Sequence, residues 1–165
     1  MAMFTLIDIV LLLTTVVSSL AGGLFYAWSC SVIPGLKKLP DNSYIEAMQS
    51  FNRAILNPAF FVSFTGTLLL LPLCVYLSYD QQLSARFYLL LASLVLYVVG
   101  VFGITALGNI PLNKKLDNFN WRIATEQSIS LQRRNFEGPW IRLHSVRTYS
   151  GILVIVLEVI ACLMH

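Results

Sequence analysis

The stretch Gly103–Lys115 reads GITALGNIPLNKK, and it marks the point where a long apolar run gives way to polar residues. Thr105 and Asn109 are four residues apart, so on a helix they lie on the same face. Pro111 has no backbone N–H and is expected to end the helix, with Asn113 and two lysines directly after it. The pattern predicts a membrane helix that presents neutral hydrogen-bonding groups at one water interface.

The composition of the whole chain agrees with this prediction. The 165 residues are 57% hydrophobic and 12% charged, whereas an ordinary soluble domain is about 25% charged. We therefore expect a single membrane-embedded domain in contact with the lipid bilayer. No basic tail or basic patch interleaved with aromatic residues suggests a nucleic-acid partner. The oligomeric state is left open.

Four apolar stretches predict an all-α bundle of four transmembrane helices. They cover about residues 4–28, 59–79, 86–109 and 140–164 and are long enough to cross a bilayer. The first is interpreted as a retained span and not a signal peptide, because no Lys or Arg precedes it. Two extramembrane amphipathic helical segments are also predicted from apolar spacing. One begins near Pro40, and the other runs from Leu112 to Arg134 until Gly138-Pro139 interrupts it.

The basic residues predict the orientation of the bundle. Ten of the eleven Lys and Arg residues lie in or beside the first and third connections, and one, Arg86, lies beside the second. Since positive residues favour the cytoplasmic side, the first and third loops should be cytoplasmic and both termini outside. We expect a bacterial inner membrane.

Polar and aromatic residues recur where each predicted span meets the cytoplasmic side. The candidates are Tyr26, Trp28, Arg53, Asn57, Thr105, Asn109, Asn113, Trp140, His144 and Arg147. The last three share one helical face. Together they predict a pocket for a planar, partly apolar small molecule with carbonyl or phenolic oxygens. The alternative for each residue is structural, as an interfacial aromatic, a snorkelling arginine or a helix cap.

Glu158 lies about ten residues into the last span, near the middle of the bilayer. A carboxyl group there should be protonated or hydrogen-bonded and should face inward. Its expected partners are Ser18, Ser19 or the neighbourhood of Tyr97. Two roles stay open for it, a proton relay or ligand contact, and a neutral hydrogen-bonding link between helices.

The cysteines and histidines do not predict a metal site. Cys74 and Cys162 fall at matching depth, so a disulfide and two free buried thiols both stay open. The chain has no C-x-x-C pair, and its two histidines are far apart. No cofactor is predicted, which leaves a recruited metal or haem open.

Several blocks of sequence together resemble a known family. They are GGLFYAW at 22–28, PG at 34–35, FNRAILNP at 51–58, GNIPLN at 108–113 and W-x-x-x-H-x-x-R-T at 140–148. In order and spacing they resemble the anthrone oxygenase-like family of small four-helix membrane proteins. The resemblance implies, for some relatives, oxidation of an anthrone to an anthraquinone by molecular oxygen without a metal. The site residues it implies are Arg53, Asn57, Asn109, Asn113, Trp140 and Arg147, while His144 stands where many members are expected to have Asn.

The first functional hypothesis is an oxygenase-like enzyme that acts on a hydrophobic polycyclic or quinone-type substrate. In that scheme His144 is the general base, since histidine titrates near neutral pH. Arg147, Asn109 and Asn113 would stabilise an enolate oxygen, and the two tryptophans would stack on the rings. The alternative is a non-catalytic membrane protein that binds a lipid or quinone or stabilises a partner complex.

Overall fold

The computed structural model describes residues 5–79 and 84–164. This part contains five helices and no strand. They are α1 (Leu6–Leu36), α2 (Asp41–Ala54), α3 (Pro58–Leu77), α4 (Ala85–Asp117) and α5 (Glu126–Leu163). All except α2 are long and apolar enough to cross a membrane, which confirms the predicted fold class. Residue 4 of the first predicted span and residues 80–83 of the second connection lie outside the described residues.

The four long helices pack side by side, and α2 lies across one end of the bundle. α1 packs on α3 and α5, α4 packs on α3 and α5, and α2 contacts α5 and the last part of α4. We call this end of the bundle the α2 end. As predicted, α2 is amphipathic, and it buries Tyr44, Ile45 and Met48 against the ends of the long helices.

α4 continues past Pro111, so the prediction that this proline ends the helix is wrong. A π-helical turn, Thr105–Asn109, comes directly before α4 passes through Pro111 and runs on to Asp117. In an α-helix the proline would lack a hydrogen bond and clash with a carbonyl of the preceding turn. We attribute the continuity to the π-helical turn, because it already shifts the hydrogen-bond register at that point.

α5 also extends further than predicted, because it runs through Gly138-Pro139 without a break. The predicted segment from Leu112 to Arg134 is therefore not a separate helix. Its two ends belong to α4 and α5, and residues 118–125 connect them. Phe136 and Trp140, on either side of Pro139, are both buried in the core beneath α2. Burial of two aromatic side chains offsets the loss of one backbone hydrogen bond.

Small residues allow close approach at specific points. A Cβ atom on Gly100 of α4 would lie 2.8 Å from Cβ of Ser150 on α5, and one on Gly22 would lie 2.6 Å from Cδ1 of Ile155. A Cβ atom on Gly23 would meet nothing within 4 Å. Of the two adjacent glycines in α1, Gly22 therefore faces a neighbouring helix and Gly23 does not.

Glu158 is fully buried. Its Oε1 accepts a hydrogen bond at 2.9 Å from the Oγ of Ser18, which is one of its predicted partners. Its Oε2 has no partner among the described residues. Ser19 is exposed, and the Tyr97 hydroxyl donates to the carbonyl of Phe64 instead. Glu158 therefore links α5 to α1 in the interior of the bundle.

The cysteine thiols are free, so the structure does not contain the disulfide that the sequence left open. Cys74 Sγ lies 3.2 Å from the hydroxyl of Thr14, and Cys162 Sγ lies 3.8 Å from that of Thr15. Both thiols are thus engaged with α1 and not with each other.

Candidate functional site

A cavity of about 620 Å³ opens at the α2 end, within the size range of small-molecule sites. Residues of all five helices contribute to it. Its aromatic lining consists of Phe25, Trp28, Phe51, Phe60, Phe61, Phe64 and Trp140. The rings of Phe60 and Phe64 stack with centroids 5.1 Å apart, and those of Trp28 and Trp140 lie 5.6 Å apart. The cavity therefore offers large aromatic faces to a flat, apolar molecule. We call it the aromatic cavity.

Arg147 supplies a cation in the wall of this cavity. The carbon of its guanidinium group lies 4.6 Å from the ring centroid of Phe25 and 5.4 Å from that of Trp140. Within residues 5–79 and 84–164, the ion pairs involve other arginines and leave Arg147 without a carboxylate. A guanidinium group between aromatic rings, with no anion of the protein beside it, is suited to a negatively charged oxygen of a ligand.

His144 contacts Arg147 through hydrogen bonds to its guanidinium group. His144 is fully buried, and its Nδ1 lies 3.2 Å from Nε and 3.0 Å from Nη2 of Arg147. Because a guanidinium group can only donate, Nδ1 is the acceptor and Nε2 carries the proton. Nε2 lies 3.0 Å from Ser29 Oγ, which in turn donates to the carbonyl of Phe25.

This geometry argues against His144 as the general base of the sequence-based scheme. Both of its ring nitrogens have partners within the protein, and the residue does not line the aromatic cavity. Its ring stacks on that of Trp140 with the centroids 5.0 Å apart and the planes 7° apart. His144 is therefore placed to orient Arg147 and Trp140.

α4 presents a row of polar residues to the cavity at four-residue steps, and Thr105, Asn109 and Asn113 belong to it. Asn109 is 1% exposed, and its Nδ2 donates to the carbonyl of Trp140 at 3.3 Å, while its Oδ1 has no partner in the described chain. Asn113 Oδ1 accepts from Trp140 Nε1 at 2.8 Å. The two amides fix Trp140 and leave a buried acceptor, Asn109 Oδ1, at the cavity wall.

Of the other predicted site residues, two line the aromatic cavity and two do not. Arg53 and Trp28 line the cavity. Tyr26 is 58% exposed and not part of the lining, because it lies on another face of α1. Asn57 is also outside the lining, since its Oδ1 accepts from the backbone N–H of Phe60 at 3.1 Å and caps α3. The capping alternative thus describes Asn57, and neither residue belongs to the site that we propose.

Sequence reasoning missed Asp117, Asn52 and the phenylalanines of the lining. Asp117 follows Asn113 by four residues and so extends the polar row of α4 by one turn. That spacing is visible in the sequence, but the expectation that the helix ends at Pro111 leaves Asp117 outside the predicted row. Asn52 on α2 has a buried Nδ2 without a partner in the described chain, and no sequence pattern indicated it.

A second cavity of about 550 Å³ lies beside the first, between α2 and the connection from α4 to α5. It shares Arg53, Asp117 and Asn118 with the aromatic cavity, and its other lining residues are mostly polar. We call it the vestibule. Neither in it nor elsewhere in the described residues do three or more His, Cys, Asp or Glu residues form a group that could hold a metal ion.

Comparison with known proteins gives one family. The model of the family described as "Anthrone oxygenase" matches residues 58–157, which is more than half of the chain and includes α3, α4 and most of α5. No curated protein and no solved structure matches the chain. The matched region contributes Thr105, Asn109, Asn113, Trp140 and Arg147 to the aromatic cavity.

Proposed function

This chain belongs to the anthrone oxygenase family, and from that premise we propose that it oxidises an anthrone-like fused-ring substrate with molecular oxygen in the membrane. In such a reaction a ring methylene becomes a ketone. One oxygen atom of O₂ enters the product, and the other leaves as water with the two methylene hydrogens. The observation that carries the proposal is the cation of Arg147, without a carboxylate partner in the described chain, in the wall of an aromatic cavity.

The cavity supports a planar aromatic substrate. Phe60 and Phe64 stack on one another, while Trp28 and Trp140 contact each other across α1 and α5. Offset and edge-to-face contacts with such rings favour flat aromatic ligands over flexible chains. Because these residues lie at the ends of apolar helices, a substrate dissolved in the membrane can reach them without crossing bulk water.

The charge of Arg147 supports the chemistry. When an anthrone loses a methylene proton, the negative charge delocalises onto its ketone oxygen, and the resulting aromatic anion can reduce oxygen. A guanidinium group aimed at that oxygen stabilises the anion more than the neutral substrate, which lowers the barrier. The hydrogen bonds from Arg147 to His144 fix this cation before the substrate arrives.

The amide row supports a substrate with a phenolic hydroxyl group. Asn109 Oδ1 is a buried acceptor without a partner in the described chain, and such an atom gains most from a donor supplied by the ligand. A hydroxyl on the outer ring would satisfy it and set the rotation of the ring system in the cavity.

We expect Arg147→Gln to lower kcat/KM for an anthrone by roughly 10²- to 10³-fold, the cost of losing one oxyanion-stabilising donor. Oxygen uptake by an electrode and quinone formation by absorbance, with the protein in detergent, measure this loss. Arg142→Gln is the matched control, because Arg142 lies on the same helix but is exposed and outside the cavity lining. It should turn over like the wild type.

Two outcomes would contradict the proposal. If the wild type takes up no oxygen but retains a lipid or quinone that mass spectrometry detects after purification, the protein is a binding protein and not an oxygenase. If the wild type is active and Arg147→Gln is equally active, the role of Arg147 is wrong. Circular dichroism of each variant checks that the helices are intact.

A further inference from the structure

We propose that Asp117 is the carboxylate that removes the proton from the reactive methylene of the substrate and passes it to water in the vestibule. This inference rests on the proposed function and names the proton acceptor that it requires. Asp117 ends α4, and its side chain lines both the aromatic cavity and the vestibule.

Among the described residues that line the aromatic cavity, one ionised side chain, that of Asp117, can accept a proton. The ionisable residues of the lining are Arg53, Lys114, Asp117 and Arg147. Arginine stays protonated in proteins, and the ammonium group of lysine is a donor without acceptor capacity. His144 lies outside the lining, and its Nδ1 is occupied by Arg147. The carboxylate of Asp117 is the group that remains to accept a proton.

The position of Asp117 is fixed by a partner on another helix. Its Oδ1 accepts a hydrogen bond from Arg53 Nε of α2 at 2.7 Å. Within the described chain its second oxygen, Oδ2, takes part in no ion pair or hydrogen bond with another side chain. Arg53 thus orients the carboxylate and leaves one oxygen to accept a proton.

The same placement provides a route for the proton. The side chain of Asp117 is 43% exposed, and on its far side the vestibule is lined by polar residues such as Gln49 and Asn120. The charged neighbours there, Glu46 and Arg122, lie 3.8 Å apart and face each other. A proton taken up on the cavity side can therefore leave to water on the vestibule side without crossing the apolar interior.

The step balances as a proton transfer. The C–H bond of the methylene breaks, and its electron pair delocalises to the ketone oxygen, where Arg147 stabilises the charge. An O–H bond forms at Asp117, and that proton passes to water. The substrate anion then gives its electrons to O₂, the oxidant of the proposed function.

The test separates proton removal from oxidation. In anaerobic D₂O, NMR follows exchange of the methylene hydrogens of an anthrone into deuterium, corrected for the rate without protein. Oxygen uptake is then measured in air. We expect Asp117→Asn to slow both processes by about 10²- to 10⁴-fold, as for loss of a general base. Added acetate should restore part of the exchange in Asp117→Ala, a rescue that a purely structural role would not show.

Two further variants serve as comparisons. Glu126→Gln removes an exposed acid that lines neither the aromatic cavity nor the vestibule, and it should exchange like the wild type. Arg53→Gln removes the same ion pair as Asp117→Asn but keeps the carboxylate, and it should slow exchange by less than tenfold. If Arg53→Gln loses as much exchange as Asp117→Asn, the ion pair and not the base is what matters, and the proposal is overturned.

The remaining outcomes distinguish the two proposals. Unchanged exchange and uptake in Asp117→Asn would overturn the role of Asp117 while the oxygenase function stands. Exchange by the wild type that Asp117→Asn loses, without oxygen uptake by either protein, would support Asp117 and contradict the oxygenase function. If the wild type promotes neither exchange nor uptake, both proposals are wrong.

Discussion

At the scale of single residues, the hydrogen bonds from Arg147 through His144 to Ser29 distinguish the proposed roles of the two charged or titratable side chains. A histidine near a cavity suggests acid–base chemistry, because its charge changes near neutral pH. Here Arg147 donates to Nδ1 of His144, and Nε2 faces Ser29. Both ring nitrogens of His144 thus have partners within the protein, and in our proposal the imidazole positions the guanidinium group, which lines the cavity.

This assignment predicts that asparagine can replace His144. Asparagine Oδ1 is the same number of bonds from Cα as histidine Nδ1, so His144→Asn should still accept from Arg147. We expect kcat/KM for an anthrone to stay within about tenfold of wild type, whereas loss of a general base would cost roughly 10²- to 10⁴-fold. His144→Leu, which removes the acceptor, is the comparison and should be the weaker of the two. Equal and severe losses in both variants would restore the base hypothesis.

At the scale of helices, α4 combines close packing with a polar face. Gly100 allows α4 to approach Ser150 of α5, and further along the same helix Asn109 bonds the backbone of α5 at Trp140. The π-helical turn Thr105–Asn109 then carries the helix past Pro111, so that Asn113 and Asp117 reach the α2 end. The contact between α4 and α5 therefore sets where the polar row meets the cavity.

We predict that Gly100→Ala separates these two helices. The new Cβ atom would lie 2.8 Å from Cβ of Ser150, which is too short for two carbon atoms. Such overpacking costs roughly 1–3 kcal/mol, and thermal unfolding followed by circular dichroism in detergent should show a lower midpoint. Gly23→Ala is the control with open space around it, and its midpoint should not fall. A midpoint for Gly100→Ala at or above wild type would show that α4 and α5 are not closely packed.

At the scale of the whole molecule, the ends of the bundle differ in charge and polarity. The α2 end holds the aromatic cavity and the vestibule. Near the opposite end Arg86 pairs with Asp8 at 2.6 Å, so its charge is compensated within the bundle. The distribution of Lys and Arg predicts that the α2 end is cytoplasmic.

Cysteine labelling tests this orientation. In a protein whose Cys30, Cys74 and Cys162 are replaced by Ala, Tyr79→Cys should react with a membrane-impermeant maleimide in intact bacterial cells. Lys38→Cys should react only after lysis, because both positions are exposed but at opposite ends of the bundle. Labelling of both positions in lysed cells is the control. The reverse pattern in intact cells would place the α2 end outside.

Some features of the site could be predicted from sequence because they depend on local spacing. Trp28, Thr105, Asn109, Asn113, Trp140 and Arg147 all lie in the lining of the aromatic cavity. Each follows from the position of a polar or aromatic residue near the end of an apolar stretch, or on a shared helical face. Tyr26 satisfies the same rule and points elsewhere, because the rule does not fix how a helix is rotated about its axis.

The sequence by itself determined the all-α class and the four candidate spans, since the length and apolarity of a segment are local properties. It also determined that polar groups gather near one end of the spans. The tertiary structure alone decided that α4 and α5 continue past their prolines. In α5 this is because the gain from packing Phe136 and Trp140 is invisible to local rules. It likewise decided that His144 faces Arg147 and that Asp117 meets Arg53. Those pairings depend on helix rotation and on contacts between distant residues, which local spacing does not encode.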